Sequence, residues 1–293
     1  MLRVKVLLTG ASGQVGRALQ SAAPANVEIH AYTRAELDIS DASAVRRAVA
    51  AFVPAVVINA AAYTAVDKAE SEPQLAEAAN ATGPRVLAET VLDIPGARLI
   101  QISTDYVFDG AGTQPHRPDD PTHPVSVYGK TKLTGERAVL EVLADRSVVL
   151  RTAWIYAAEG KNFLLTMLRL MRERGAVRVV ADQRGSPTAA ASVARALWRI
   201  VELPGIDGVL HWTDEGTASW YDFACAIAEE ALAAGVLEQP ATVSPITTAD
   251  YPTPARRPMN SMLDLRESIV RLKLRPTPWR DNLRTTLRAL PRG

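Results

Sequence analysis

The chain has 293 residues, of which 47% are hydrophobic and 22% charged, and its formal net charge is +1. This composition excludes a disordered or fibrous protein, and the balanced charge favours neither a nucleic acid nor a membrane surface as a partner. The single cysteine, Cys225, excludes a disulfide framework within the chain. The N-terminal apolar run is too short for a signal peptide, and no run approaches the roughly 18 apolar residues that span a bilayer, so we expect a cytoplasmic protein.

The first half of the chain alternates short apolar runs with longer segments of helical pattern. The runs are rich in β-branched residues and bounded by polar residues, which is typical of buried strands; they lie at residues 4–8, 27–32, 55–59, 98–103 and 147–151. The segments between them are long enough for helices and lie at residues 15–23, 42–52, 74–92 and 128–143. This alternation predicts an α/β fold, a doubly wound parallel sheet of the Rossmann type with helices on both faces.

The second half follows a different pattern. We expect helices and strands to be less regularly interleaved there, with helices at 162–174, 190–201, 219–234 and about 279–290 and strands at 177–181 and 209–212. Proline is frequent from 239 to 258, which predicts an extended loop. The change near residue 155 predicts a sheet-bearing domain at 1–155 and a smaller C-terminal lobe at 156–293, with about 190–212 returning to the first domain.

Three glycines, Gly10, Gly13 and Gly16, follow the first predicted strand and begin the first predicted helix. In a dinucleotide-binding turn, the first glycine allows the sharp turn and the second lets the backbone approach a pyrophosphate. The third lets the helix pack closely on the strand. The helix N-terminus then offers unpaired N–H groups and a partial positive charge to the phosphates. We therefore interpret this segment as a dinucleotide site rather than a merely structural turn.

The end of the second predicted strand bears on which dinucleotide binds. It reads Tyr32-Thr33-Arg34, without an acidic residue to bind a ribose 2′-hydroxyl. Arg34 can instead face a 2′-phosphate, which favours NADPH, with NADH as a second acceptable cofactor. The alternative for Arg34 is a solvated surface position.

A Tyr-x-x-x-Lys pattern, Tyr128 and Lys132, begins the helix predicted after the fourth strand. Residues four apart lie on one helix face, with Cβ atoms about 5–6 Å apart. A free phenol has a pKa near 10. A nearby ammonium group is expected to lower that pKa toward the working range of an acid–base catalyst. The same lysine can hold the nicotinamide ribose.

A third polar group is expected where the fourth strand ends. The hydroxyls of Ser103 and Thr104 stand there, at the edge where ligands bind in open α/β sheets. Either hydroxyl can hydrogen-bond a reacting carbonyl and orient the tyrosine, and we favour Thr104. The alternative is a strand-end turn made by Ser, Thr and Asp.

Five segments together resemble the dTDP-4-dehydrorhamnose reductase family, within the extended short-chain dehydrogenases. They are spread over almost the whole chain and lie at residues 9–16, 59–70, 103–108, 182–188 and 251–258. The resemblance implies that NADPH reduces a dTDP-linked 4-keto-6-deoxy sugar, dTDP-4-dehydro-6-deoxy-L-mannose, to dTDP-L-rhamnose, a cell-envelope sugar donor. The domain at 1–155 would bind NAD(P) and the lobe at 156–293 mainly the sugar nucleotide.

The same resemblance implies roles for individual residues. Tyr128 would protonate the alkoxide forming at the sugar C4, and Lys132 would adjust the pKa of that tyrosine. Thr104 would help to match the proton affinity of the tyrosine to that of the alkoxide. Cofactor contacts beyond the glycines, Arg34 and the Tyr–Lys pair would be Gln14, Val15, Asp38, Ile39, Ala61, Ala62 and Tyr63. Substrate contacts would be Thr104, Asp105, Tyr106, Trp154 and Arg257, with Arg256 as the alternative at the pyrophosphate and residues 183–188 near the thymine.

Some members of that family dimerise around magnesium held by glutamates. Ala18 and Ala191 stand at the corresponding positions, and without carboxylates a hard cation has no anchor. The four histidines show no metal-ligand spacing. We therefore expect no metal and a monomer.

Two rival functions share much of this pattern. A sugar-nucleotide epimerase or dehydratase has the same glycines, tyrosine and lysine, but a dehydratase usually carries an acidic pair after the strand-end threonine, where this chain has Asp105 and Tyr106. The second rival is a non-catalytic NADP-binding regulatory subunit that has kept the reductase fold. Retention of Thr104, Tyr128 and Lys132 together favours an enzyme.

Overall fold

The computed structural model describes residues 3–290, so Met1, Leu2 and residues 291–293, at the outer ends of the two predicted domains, lie outside the described residues. The strands are, in chain order, β1 Val4–Thr9, β2 Val27–Tyr32, β3 Val56–Asn59, β4 Arg98–Thr104, β5 Ser147–Thr152, β6 Ile155–Tyr156, β7 Ala176–Val180, β8 Arg184–Gly185, β9 Thr188–Ala189, β10 Gly208–His211, β11 Ala218–Ser219 and β12 Thr242–Ile246. The helices are α1 Gln14–Ser21, α2 Ala42–Phe52, α3 Val66–Ala69, α4 Pro73–Glu77, α5 Gly83–Leu92, α6 Val127–Leu143, α7 Phe163–Arg174, α8 Ala190–Glu202, α9 Trp220–Ala233, α10 Arg266–Leu272 and α11 Trp279–Arg288.

The central sheet is parallel throughout and, over residues 3–290, has six strands in the order β2-β1-β3-β4-β5-β10. This arrangement confirms the predicted α/β fold class. The strand order reverses between β1 and β3, because β2 lies on one side of β1 and all later strands lie on the other. In sheets of this kind, ligands bind outside the carboxyl ends of the strands at that reversal.

Alternate residues of the strands bury opposite faces of the sheet, as the two-residue repeat of a strand requires. Leu8 and Ile58 pack on one face against α1 and α8, while Leu7 and Val57 pack on the other against α2, α5 and α6. These four side chains are at most 1% exposed. Burial of one such side chain stabilises the fold by roughly 1.5–3 kcal/mol, so the sheet gives the strand ends a rigid frame.

A second core lies in the C-terminal half of the chain. It packs α7, α9 and α11 around β7, with Tyr156, Phe223 and Leu283 completely buried. Strand β10 joins the central sheet beside β5, and α8 packs on the same sheet face as α1.

Several short elements were not predicted from the sequence, among them α3, β6, β8, β9 and β11, and three further segments differ from the prediction. The expected loop at 239–258 contains β12, which pairs in parallel with β7, and Pro245 is tolerated because β12 lies in a two-stranded sheet with an open edge. The expected helix at 74–92 is α4 and α5 joined by a π-helical segment, Ala78–Thr82. Helix α10 was not predicted, since its seven residues are too few for a clear helical repeat.

No helix within residues 3–290 is both long enough and apolar enough to cross a membrane.

Candidate active site

A cavity of about 650 Å³ opens at the carboxyl ends of the parallel strands, where the strand order reverses. Most of the residues predicted for the site line it. They are Gly10, Gly13, Gln14, Val15, Arg34, Asp38, Ile39, Ala61, Ala62, Thr104, Asp105, Tyr106, Tyr128, Lys132, Trp154 and Arg257. The Tyr–Lys pair and the glycine turn therefore face one common space, although the two segments are more than 100 residues apart in the sequence.

The glycine turn is shaped by close backbone contacts. Gly10 has a φ of +72°, and a Cβ there would stand 2.5 Å from the backbone of Ala60. A Cβ on Gly16 would collide with the carbonyl oxygen of Gly10, so α1 sits directly on the turn. Gly13 is the N-cap of α1 and provides no capping side chain. The first N–H groups of α1 are thus directed at the cavity, as an anion site requires.

Gly16 itself does not line the cavity, which agrees with a packing role for the third glycine. Tyr63 does not line it either. Its hydroxyl hydrogen-bonds the carboxylate of Glu72, and its backbone N–H donates to Asn80 Oδ1 at 2.8 Å. The Tyr63 side chain is thus directed away from the cavity, although its neighbours Ala62 and Thr64 line it, and the predicted cofactor contact of Tyr63 stays a prediction.

The outer end of the cavity is lined by Arg34, Asp38 and Ile39. Asp38 accepts hydrogen bonds from the backbone N–H and the hydroxyl of Ser40 at 2.9 and 2.7 Å. These bonds, together with the nearby charge of Arg34, hold the pKa of Asp38 below its usual value. Arg34 is exposed, so its guanidinium group can reach a phosphate at the cavity mouth.

A chain of buried side-chain hydrogen bonds, which we call the polar ladder, connects the ends of three strands. It was not predicted from the sequence. Thr9 Oγ1 donates to Asn59 Oδ1 at 2.6 Å, and Asn59 Nδ2 donates to Gln101 Oε1 at 2.7 Å. Asn59 Oδ1 also accepts the backbone N–H of Ala61 at 3.1 Å. The ladder spans β1, β3 and β4 and fixes the loop that carries Ala61 and Ala62.

The π-helical segment contributes a second unpredicted connection. Asn80, on this segment, donates to the carbonyl of Tyr63 at 3.1 Å and to Thr131 Oγ1 at 3.2 Å. Helix α6 can approach this segment because Gly135 has no Cβ, which would collide with the Asn80 carbonyl. Asn80 thereby joins the loop after β3 to the helix that carries the Tyr–Lys pair.

Lys132 is only 4% exposed, and its Nζ donates to the carbonyl of Ile102 at 2.6 Å. Burial lowers the pKa of Lys132 to about 8, and the charge of Glu136 opposes this shift. Glu136 is itself buried and paired with Arg151 at 2.8 Å. The ammonium group of Lys132 is thus held against β4, at the end of the strand.

Burial raises the pKa of Tyr128 above its ordinary value. Hydrogen bonding with Thr104 acts in the opposite direction, and the charge of Asp105 adds to the increase. The expectation that the lysine would lower this pKa is not met: burial of the phenol has the largest effect, and Lys132, whose ammonium group is directed at a backbone carbonyl, is not among the groups that lower it. The phenol is consequently a group that stays protonated at neutral pH.

Thr104 lies beside the phenol at the end of β4, and its hydroxyl donates to Asp105 Oδ1 at 3.0 Å. Burial raises the pKa of Asp105 to about 6, although hydrogen bonds from Ser261 and Thr104 oppose the shift. Asp105 Oδ2 and Ser103 Oγ are buried without a hydrogen-bond partner among the described residues. Buried polar atoms without partners at a cavity wall are suited to a ligand, since leaving them unpaired is costly.

Residues that follow β5 in the sequence also line the cavity. Trp154 comes from the loop after β5, Lys161 from the segment before α7, and Trp220 from the first position of α9. Trp154 was predicted from the sequence, whereas Lys161 and Trp220 were missed, because nothing in the residues near them indicates that they meet the end of β5 in space.

A larger cavity of about 710 Å³ adjoins the first one, and Arg257 lines both. Arg257 donates to Tyr106 Oη at 3.1 Å and to Asp67 Oδ2 at 2.7 Å, which fixes it at the junction. Arg256 lines only the larger of the two cavities. Residues 183–188 line neither cavity, but Gln183 Nε2 donates at 3.0 Å to Oγ1 of Thr248, which lines the larger one. Their approach to a nucleobase stays a prediction.

Within residues 3–290, no group of three or more His, Cys, Asp and Glu side chains is placed to hold a metal ion.

A family model described as "RmlD substrate binding domain" matches residues 4–291 of the chain. The dTDP-4-dehydrorhamnose reductase of Aggregatibacter actinomycetemcomitans is 43% identical over 96% of this chain and 97% of its own length. The chain belongs to the dTDP-4-dehydrorhamnose reductase family. The enzyme of the same name from Streptomyces griseus is 47% identical over 89% of this chain and 86% of its own length.

A solved structure of the same family agrees with the fold. The dTDP-4-dehydrorhamnose reductase of Bacillus anthracis, in complex with NADP, has a TM-score of 0.90 and 34% identity, over 97% of this chain and 99% of its own. The family resemblance carried by five sequence segments is confirmed, and the chain is an oxidoreductase of the Rossmann type.

Proposed function

We propose that this protein reduces the C4 keto group of dTDP-4-dehydro-6-deoxy-L-mannose to give dTDP-L-rhamnose, with NADPH as the preferred reductant and NADH as a second one. The proposal is supported by the reductases of this name that are 43% and 47% identical over most of the chain. The observation that carries it is the single cavity shared by the glycine turn, Thr104, Tyr128 and Lys132.

The residues of the cavity fit a dinucleotide. The close contact of Gly10 with the Ala60 backbone excludes any Cβ and fixes the turn, so that the turn and the N-terminus of α1 form a cradle that can receive a pyrophosphate. Gln14 and Val15 border this cradle, and Arg34 with Asp38 and Ile39 would hold the adenosine end. Ala61, Ala62 and Lys132 would hold the nicotinamide end. When bound, NADPH supplies the hydride that the sugar C4 receives.

Tyr128 is the proton donor in this proposal. As C4 gains a hydride, the electron pair of the carbonyl bond moves to its oxygen, which takes the proton of the phenol. The phenol carries its proton at neutral pH, as its ordinary pKa near 10 already requires and burial reinforces, and the tyrosinate is reprotonated from solvent. The Thr104 hydroxyl lies beside the phenol and would align it, and the Lys132 ammonium group would stabilise the negative charge that forms on the tyrosine oxygen.

The substrate would lie across the two cavities. Trp154, Asp105 and Tyr106 border the sugar position beside Tyr128. Arg257, at the junction, would bind the diphosphate through the free edge of its planar guanidinium. The larger cavity, with Tyr251 on its wall, would receive the nucleoside.

The organisation of the chain is part of the proposal. Residues 1–155 form the cofactor domain, residues 156–293 mainly the substrate lobe, and about 190–212 return to the first domain, as β10 and α8 suggest. We further propose a metal-free monomer, because Ala18 and Ala191 provide no carboxylate for magnesium. Light scattering that shows a magnesium-dependent dimer would contradict this part.

The decisive experiment is mass spectrometry of the product formed from NADPH and the dTDP-4-keto-6-deoxy sugar. A reductase oxidises one NADPH for each product molecule, and the product gains two hydrogens. A product formed without net NADPH consumption would instead support an epimerase or dehydratase. Absence of any substrate-dependent NADPH oxidation would support the regulatory-subunit alternative.

A further inference from the structure

Trp154, at the wall of the active-site cavity, has an uncommon backbone conformation. Its φ is +49°, in the left-handed region that bulky side chains rarely adopt. Such strain costs on the order of 1–3 kcal/mol and persists only where the surroundings enforce it. The structure should therefore contain groups that hold the Trp154 indole in place.

Two groups from the second lobe do so. The indole of Trp220 stacks on that of Trp154, with ring centroids 3.6 Å apart and planes 8° from parallel. On another side, Gly185 leaves the space that the indole occupies, because a Cβ there would stand 2.5 Å from Trp154 Cε2. Gly185 has no positive φ, so a side chain at this position is excluded by the indole and not by the backbone.

Trp220 is in turn firmly placed. It is the first residue of α9, whose N-terminus is closed by a capping box between Ser219 and Asp222. Its ring also packs on Phe163, at the first position of α7, with centroids 4.6 Å apart. Trp220 thus connects α7 and α9 to the loop that follows β5, and fixes that loop relative to the two helices.

We propose that Trp220 and Gly185 are positioning residues that set the Trp154 indole against the sugar ring and thereby determine the affinity for the keto-sugar nucleotide. This inference rests on the proposed function. It gives the C-terminal half of the chain a defined role, which is to hold one aromatic surface at the wall of the cavity that Tyr128 also lines.

The test uses three variants of the full chain and a control. Trp220→Ala removes the stack, Gly185→Ala displaces the indole by its added methyl group, and Trp154→Ala removes the indole itself. Trp279→Phe is the control, since Trp279 belongs to the same lobe core but lines neither cavity. Steady-state kinetics are measured for both substrates, and near-ultraviolet circular dichroism reports the coupling of the two stacked indoles.

We expect Trp220→Ala and Gly185→Ala each to raise KM for the sugar nucleotide about tenfold or more, with KM for NADPH unchanged within twofold. The circular dichroism band of the stacked pair should be lost in Trp220→Ala and altered in Gly185→Ala. In the Trp154→Ala background, either change should add nothing, because the positioned group is already gone. Trp279→Phe should keep both KM values.

Two results would overturn the inference. One is loss of the stacked-pair band with an unchanged KM for the sugar nucleotide. The other is full additivity of Gly185→Ala with Trp154→Ala, which would show that the methyl group acts on the fold and not through the indole. A wild-type protein that oxidises no NADPH with the keto sugar would refute the proposed function itself, and with it the inference.

Discussion

The two walls of the active-site cavity are built in different ways. The wall at the sheet edge carries Thr104 and Lys132, which are 5% and 4% exposed and stand on β4 and α6. The opposite wall carries Trp154, Trp220 and Arg257, which are partly exposed and come from segments far apart in the sequence. The first wall sets protonation states through burial, whereas the second sets shape through contacts between distant segments. We therefore expect changes in the first wall to alter kcat and pH dependence, and changes in the second to alter KM.

The largest expected effect is at the first wall. Tyr128→Phe removes the proposed proton donor and should lower kcat roughly 10²–10⁴-fold, the usual size of general acid catalysis. The affinity for NADPH, measured by fluorescence titration, should change less than twofold. Tyr221→Phe is the matched control, because Tyr221 lies on α9 and lines neither cavity. Retention of wild-type kcat in Tyr128→Phe would remove Tyr128 from the mechanism.

The second effect concerns stability against pH. The pKa of Asp105 is raised from 3.8 to about 6 by burial, so the folded protein binds more protons than the unfolded one between these values. This group therefore contributes stability that is present below pH 3.8 and is lost as the pH rises through 6, on the order of 3 kcal/mol. The free energy of unfolding of Asp105→Asn, measured with urea at several pH values, should not show this decrease.

The control for that experiment is Asp145→Asn, at an exposed turn residue, which should keep the pH dependence of the wild type. If Asp105→Asn and the wild type lose stability in parallel between about pH 4 and pH 6, the Asp105 carboxyl is not responsible for the decrease.

The third effect tests the second wall. Arg257→Ala removes the guanidinium at the junction of the cavities and should raise KM for the sugar nucleotide about 30-fold, as loss of a charged hydrogen-bonding group does. The value of kcat should change much less. Arg256→Ala, which alters the larger cavity only, should have the smaller effect. If Arg256→Ala raised KM more than Arg257→Ala, the diphosphate would have to be assigned to Arg256 instead.

The smallest effect is at the outer end of the first wall. Arg34→Ala should reduce the preference for NADPH over NADH about tenfold, or about 1.4 kcal/mol, if Arg34 binds the 2′-phosphate. The ratio of kcat/KM for the two cofactors measures this. An unchanged ratio would leave Arg34 as a solvated surface residue.

The same contrast explains what could be predicted from the sequence. The six strands of the sheet and the Gly10 turn follow from local features, namely apolar runs and a backbone conformation that glycine adopts readily. The strand β12 could not be predicted, because Pro245 argues against a strand and its partner β7 is distant in sequence. Trp220 was missed for a similar reason, since its stack on Trp154 is a tertiary contact.

The charge states of the site were the least predictable feature. The spacing of Tyr128 and Lys132 correctly indicated that both face one cavity. It could not show that the Lys132 ammonium is directed at the carbonyl of Ile102, nor that burial has the largest effect on the pKa of Tyr128. The direction of a pKa shift depends on how much water surrounds the group, and that is a property of the folded chain.

The proposed mechanism depends above all on Tyr128 being a protonated phenol, which burial holds further from ionisation than an ordinary tyrosine. The most direct test is an ultraviolet titration of the phenolate absorbance in the wild type minus that in Tyr128→Phe, in the absence of cofactor. We predict that the difference spectrum shows no phenolate below pH 10, the ordinary pKa of tyrosine. A phenolate that appears near neutral pH would contradict this mechanism.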